Sequence, residues 1–130
     1  MTANVIQLPH EVERGIALIN RGEYFKAHEE LELSWRREKN EVRQLYQGLV
    51  QVSVILYHLE RGNKKGALKL LRKALENLTP FIEFSTNLDI PRLVSDLASL
   101  SAILECTNEG CAKTIPAHVL RLHTRNLRSE

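Results

Sequence analysis

The chain has 130 residues, 18 of them Lys or Arg and 16 Asp or Glu, which leaves a formal net charge of +2. That length supports one domain whose core needs no metal or disulfide staple, and so small a charge supplies no whole-molecule field to recruit nucleic acid or an anionic membrane. No apolar run reaches the ~18 residues needed to span a bilayer and no apolar stretch follows a basic N-terminal region, so the expected setting is the cytoplasm.

The elements read as helix after helix. Pro9 suits a first helical turn, and Val12, Ile16 and Ile19 then mark one face as far as a stop at Gly22. A second helix is expected over residues 23–38, with Tyr24, Ala27, Leu31 and Trp35 as its core stripe. Asn40 is the expected cap of a central third helix, residues 41–61, which Gly62 ends. Asn63 starts the fourth, whose Ala67, Leu71, Ala74 and Leu78 face inward until Thr79-Pro80 closes it. A loop through Ser85, Thr86 and Asn87 leads to Asp89-Ile90-Pro91, the start of a fifth helix carrying Leu93, Leu97, Leu100 and Leu104. From Gly110 the periodicity fades. The division is therefore a helical domain over residues 1–110 and a basic tail over 111–130, extended or partly ordered. No alternating run is bounded by hairpin turns, so no sheet is expected. Arg21-Gly22, Ala27 and Leu31 recur forty residues later as Arg61-Gly62, Ala67 and Leu71. The fold class is all-α, a single-domain bundle of five helices built from repeated αα-hairpins.

The central helix is the unusual one. From Gln44 to Leu59 it carries no charged residue, while Gln44, Gln47, Gln51 and His58 recur on one helical stripe. A solvent-facing stripe is normally written in Lys, Glu and Arg, so this helix is expected to be surrounded by protein. Its apolar residues cover more than half its circumference, with Val54 and Ile55 bordering the amide stripe, and a homodimer is the expected consequence. Gly48, in the helix interior, is expected to admit a close neighbour.

The run Phe25-Lys26-Ala27-His28-Glu29-Glu30-Leu31-Glu32-Leu33-Ser34-Trp35, followed by Gln47-Gly48-Leu49-Val50-Gln51, Tyr57-His58 and Gly62-Asn63-Lys64-Lys65-Gly66-Ala67, resembles the family called domain of unknown function 309. The resemblance covers about half the chain. It implies a small, all-helical cytosolic protein of prokaryotic or plastid type, and it implies no activity.

Two readings of the chemistry stand side by side. The first is a binding or interaction module, with a polar patch of His28, Glu32, Gln47 and Gln51 between the second and central helices. Buried polar groups of this kind usually form a satisfied hydrogen-bond network. Trp35 reads first as core and second as a stacking surface for a ligand. The second reading is a metal-dependent, hydrolase-like enzyme. His28-Glu29-Glu30-Leu31-Glu32 has the form H-E-x-x-E, which sets His28 and Glu32 one turn apart as ligands for zinc, iron or manganese. His58 would be the third ligand, and Glu29, turned away from that side, is a poor general base. No cofactor other than such a divalent metal is indicated. There is no Gly-rich phosphate loop and no nucleophile elbow. Lys64, Lys65, Lys69, Arg72 and Lys73, with the tail's Lys113, Arg121, Arg125 and Arg128, lack interleaved aromatics and read as solvated faces, so nucleic acid is not an expected partner. Cys106 and Cys111 read as free thiols.

Overall fold

In the computed structural model, which describes residues 5–106 and 120–124, five α-helices follow one another. They are α1 (His10–Asn20), α2 (Tyr24–Arg37), α3 (Val42–Glu60), α4 (Lys64–Leu78) and α5 (Ile90–Leu104), with a short 3-10 turn at Thr79–Phe81 after α4. No strand occurs among the described residues, only two isolated bridges.

The forty-residue repeat is a repeated turn. Gly22 and Gly62 take φ of +83° and +76°, the left-handed conformation that glycine adopts without a Cβ penalty. The hydrogen bonds around them match one for one. Gly22 N donates to Ile19 O (3.0 Å) and Glu23 N to Leu18 O (2.9 Å); Gly62 N donates to Leu59 O (3.0 Å) and Asn63 N to His58 O (2.8 Å). Each turn therefore reverses the chain into an αα-hairpin, α1–α2 and α3–α4. Asn63 Oδ1 accepts from Gly66 N at 2.9 Å and caps α4 as expected. Asn40 does not cap α3: its side chain makes no cap contact, and the cap position falls on Glu41. Asn40 contributes its backbone instead, its carbonyl oxygen accepting from Arg43 N at 3.0 Å.

Helix α3 is the hub, with nine of its nineteen residues buried, the largest share of any helix. It packs between α2 and α4, and α5 closes over α4. Each hairpin contains one close approach. A Cβ placed on Gly15 would stand 2.5 Å from Leu31 Cγ, and one on Gly48 would stand 2.7 Å from both Cγ and Cδ2 of Leu78. Leu31 and Leu78 are fully buried, so each glycine is the space that its partner leucine fills. At the surface, Arg37 Nη1 reaches Glu11 at 2.8 Å and Arg14 Nη2 reaches Glu30 at 3.1 Å, tying α1 to α2. A backbone hydrogen bond at its own amide, then the Arg37 guanidinium, holds the Glu11 carboxyl below the usual range.

The loop before α5 gathers distant segments. Ile6 N donates to Ser85 O (2.8 Å) and Asp89 N to His123 O (2.8 Å). The Asn20 amide grips the backbone of Leu122 twice, donating to its O at 2.8 Å and accepting from its N at 2.9 Å. Leu120 and Leu122 are buried, so residues 120–124 form an extended strap docked on the bundle. The remainder of the expected tail lies outside the described residues. Two clefts, of about 240 and 190 Å³, flank the strap at Leu120 and Arg121. Cys106 corrects the free-thiol expectation, since it is disulfide-bonded. It stands two residues past the end of α5, where the helix no longer fixes the backbone; Cys111 lies outside the described residues.

Helix α4 is charged against its own interest. Lys64 and Lys65 occupy its first turn, with no acid there, at the positive end of the helix dipole, an arrangement unfavourable by roughly 0.3–1 kcal/mol per charge. Lys65, Lys69 and Lys73 then repeat at four-residue intervals, and each such like-charge pair costs roughly 0.2–0.5 kcal/mol.

Candidate functional site

Helices α2 and α3 run antiparallel, and two contacts fix their register. The rings of Phe25 and Tyr57 lie 6.2 Å apart at one end. At the other, the Arg43 guanidinium lies 4.4 Å from the Trp35 ring centroid while its Nε donates to Trp35 O at 3.0 Å. One face of this pair carries most of the residues that the sequence singles out.

On α2, His28 Nε2 and Glu32 Oε1 lie 3.6 Å apart, both side chains about 30% exposed. The other oxygen of Glu32 accepts from Arg36 Nη2 at 3.2 Å. At this exposure such pairs contribute at most about 1 kcal/mol. Glu29 is fully outward and exposed. Trp35 is half-buried with one ring face covered by Arg43, so the stacking surface imagined for a ligand is taken by the chain's own guanidinium. Its indole Nε1 is buried without a hydrogen-bond partner.

On α3 the amide stripe divides. Gln44 is exposed and Gln47 half-buried. Gln51 turns toward α4, where its Oε1 accepts from Asn77 Nδ2 at 2.9 Å. The imidazole of His58 meets the side-chain amide of Asn63, Nδ1 to Nδ2, at 3.2 Å. Because Asn63 Oδ1 is engaged by Gly66 N, the amide nitrogen faces the ring and donates. In its neutral form the His58 ring therefore carries its proton on Nε2.

These contacts correct two expectations. The polar groups do not form one buried network. His28 pairs with Glu32, Gln51 with Asn77 and His58 with Asn63, all partly exposed. The cause is rotation rather than register: on a 100° per residue wheel Gln51 lies about 120° from Tyr57, on the α4 side of α3. The His28, Glu32 and His58 metal set does not assemble either. Among the described residues no three His, Cys, Asp or Glu side chains are grouped to hold a metal ion. Two aromatic rings intervene. His28 stacks near Phe25 (6.0 Å between centroids), Phe25 near Tyr57, and Tyr57 near His58 (6.5 Å).

What the face does present is an uncharged strip. Seven residues of α3 between Gln44 and Leu59 are not buried, namely Gln44, Gln47, Val50, Gln51, Val54, Tyr57 and His58, and none bears a formal charge at neutral pH. Phe25, 58% exposed, flanks the strip from α2. Arg61 closes one end, its guanidinium 5.3 Å from the Tyr57 centroid and its Nη1 donating to the Tyr57 hydroxyl at 3.2 Å. Arg43 closes the other.

The segment bearing this face can be compared with known proteins. Residues 12–70 match the family described as Domain of unknown function (DUF309). The matched segment takes in most of α1, all of α2 and α3, and the first half of α4. The chain is 33% identical over 57 residues to an uncharacterized protein of Aquifex aeolicus (strain VF5), across 43% of this chain and 17% of that protein. It is 37% identical over 57 residues to the uncharacterized protein YpuF of Bacillus subtilis (strain 168), across 43% of this chain and 33% of that protein. The chain thus spans about a sixth and a third of the length of these relatives. No solved structure matches it.

Within the matched segment, Phe25, Val50 and Tyr57 are site residues that the sequence reading missed. Their clue was available: Phe25 and Tyr57 both lie inside the quoted motifs, and both stand off the apolar stripe of their own helix. Asn77, beyond the segment, had no sequence-level pointer to Gln51.

Proposed function

We propose that the chain is a helical interaction module that pairs with a second copy of itself through the outer α2–α3 face. The observation that carries this reading is the strip of seven uncharged, unburied residues on α3. A helix face meant for water is written in Lys and Glu. The centres of protein interfaces are depleted in those residues and enriched in Tyr, Trp, Phe and Arg. Here Phe25, Trp35 and Tyr57 border the strip, two of them stacked with arginine.

A second copy suits this strip because the strip, uncharged along its length, carries nothing that repels its own image. From Gln44 to His58 the strip is about 21 Å long at 1.5 Å per residue. An antiparallel two-fold arrangement about Gln51 sets Val50 and Val54 near the axis and brings the amides of one copy to Tyr57 and His58 of the other.

Light scattering of the purified protein at high micromolar concentration tests the reading. A particle near 30 kDa, twice the 14.9 kDa chain, is expected. Val54→Glu should give a folded monomer. A wild-type monomer at that concentration ends the self-association reading. A dimer indifferent to Val54→Glu moves the interface elsewhere.

A further inference from the structure

From the charge arrangement of α4 we infer a second interaction surface, independent of the α2–α3 face: the outward side of α4 binds the phosphate backbone of duplex nucleic acid without reading its sequence. Lys65, Lys69, Arg72 and Lys73 are exposed there, with Lys64 half-exposed beside them. Among the described residues, Lys26, Arg14, Arg21, Arg36, Arg37 and Arg92 each hold a carboxylate, and Arg72 reaches Glu105 at 3.8 Å. No ion pair involves Lys64, Lys65, Lys69 or Lys73 among those residues, although this chain has nearly as many acids as bases.

Lys64 and Lys65 stand where a helix does not want them, at the positive end of its dipole, and Lys65, Lys69 and Lys73 repel one another one turn apart in a single row. A solvated face has no need of that arrangement, since Glu at position 69 would make the row attractive to itself. The row rises about 6 Å per lysine and about 12 Å from Lys65 to Lys73. It thus offers regularly spaced cations to a regularly charged polyanion, and duplex DNA carries roughly one charge per 1.7 Å of axis. The +2 net charge of the whole chain does not weigh against this, because at physiological salt the field that matters acts within about 8 Å.

The chemistry around the row selects the kind of polyanion. Among the described residues the exposed large apolar side chains are Val5, Phe25, Leu33 and Ile103, none of them on α4. A protein interface needs an apolar or aromatic anchor at its centre and is depleted in lysine, so an acidic protein is the poorer fit. Single-stranded nucleic acid is bound through stacked bases, and α4 has no aromatic residue to stack on them. Lysines without base-reading side chains contact phosphates and position rather than specify.

The test is fluorescence anisotropy of a labelled 20-base-pair DNA duplex titrated with the full chain. Four lysine contacts predict a log–log salt slope of about −3.6, hence affinity falling about 150-fold between 50 and 200 mM monovalent salt. A duplex of scrambled sequence should bind within about twofold. Lys69→Glu should weaken binding by about tenfold, and the triple change at Lys65, Lys69 and Lys73 to Glu should abolish it, while circular dichroism and melting temperature hold or rise. Lys69→Gln is the milder substitute should the triple variant not fold. Absence of binding at 50 mM salt, or affinity unchanged in Lys69→Glu, overturns the inference. So does tighter binding of the single-stranded 20-mer, or of poly-glutamate, since either outcome names a different partner.

Discussion

Gly48→Ala asks whether the α3–α4 contact is as tight as it looks. Two opposed terms decide the sign. Removing a glycine from a helix interior favours folding by about 1 kcal/mol. Against this, the new methyl would stand 2.7 Å from Leu78 Cγ and Cδ2 and 3.3 Å from Asn77 Cβ, where carbon contacts prefer about 3.5–4.0 Å. The obstructing Leu78 is fully buried, and its Cγ is not a flexible end that can swing away, so either its rotamer or the α4 backbone must shift. Overpacking of this kind costs about 1–3 kcal/mol. The expected net effect is a destabilisation of about 1 kcal/mol, lowering the melting temperature by about 4 °C for a domain of this size. Urea denaturation followed by circular dichroism at 222 nm reads it as a lower midpoint at unchanged m. The mechanism has a second arm. Leu78→Ala alone should cost about 2–5 kcal/mol, and in that background the Gly48→Ala penalty should vanish or reverse, because the methyl enters vacated space. A stabilised Gly48→Ala chain, or a penalty identical in both backgrounds, refutes the steric account.

Tyr46 supplies a pH test: burial, aided by the Glu38 charge, pushes its phenol up to about 12. The folded chain keeps the proton that the unfolded chain releases near 10, so this stabilising term is complete below pH 10 and declines by roughly 1.4 kcal/mol per pH unit as pH rises toward 12. Tyr46→Phe should lack that decline, and parallel stability curves for the two chains from pH 10 to 12 would contradict the assignment. Asn20→Ala removes both side-chain hydrogen bonds to Leu122, and exchange of the Leu122 amide should accelerate by about 10–100-fold, corresponding to about 1–3 kcal/mol; an unchanged rate would show that the buried leucines alone hold the strap.

The helices were legible because local rules suffice for them. Gly22, Gly62, Asn63 and Asp89 act at their own positions, and the caps of α4 and α5 form there through bonds to Gly66 N and Arg92 N. The site was less legible because its geometry depends on rotation about α3. A stripe of Gln47, Gln51 and His58 is one line on a wheel, yet a few tens of degrees send Gln51 to Asn77 while leaving Gln47 outward. Nothing in the order of residues says which neighbour lies on which side. The H-E-x-x-E spacing was equally local. It places His28 against Glu32 correctly, but the third ligand had to come from another helix, and Phe25 and Tyr57 occupy the intervening space. The strap was invisible for the same reason, since Asn20 and Leu122 are 102 residues apart.

That separation has a consequence for the order of assembly at the ribosome. Both hairpins are complete once Leu78 has been made, but Asn20 cannot grip Leu122 until forty-four further residues have been added. At roughly 5–20 residues per second, synthesis holds the nascent chain in that unfinished state for about 2–9 s. Throughout that interval the end of α1 lacks Leu120 and Leu122 as cover, an apolar surface open to chaperones and to a neighbouring nascent copy.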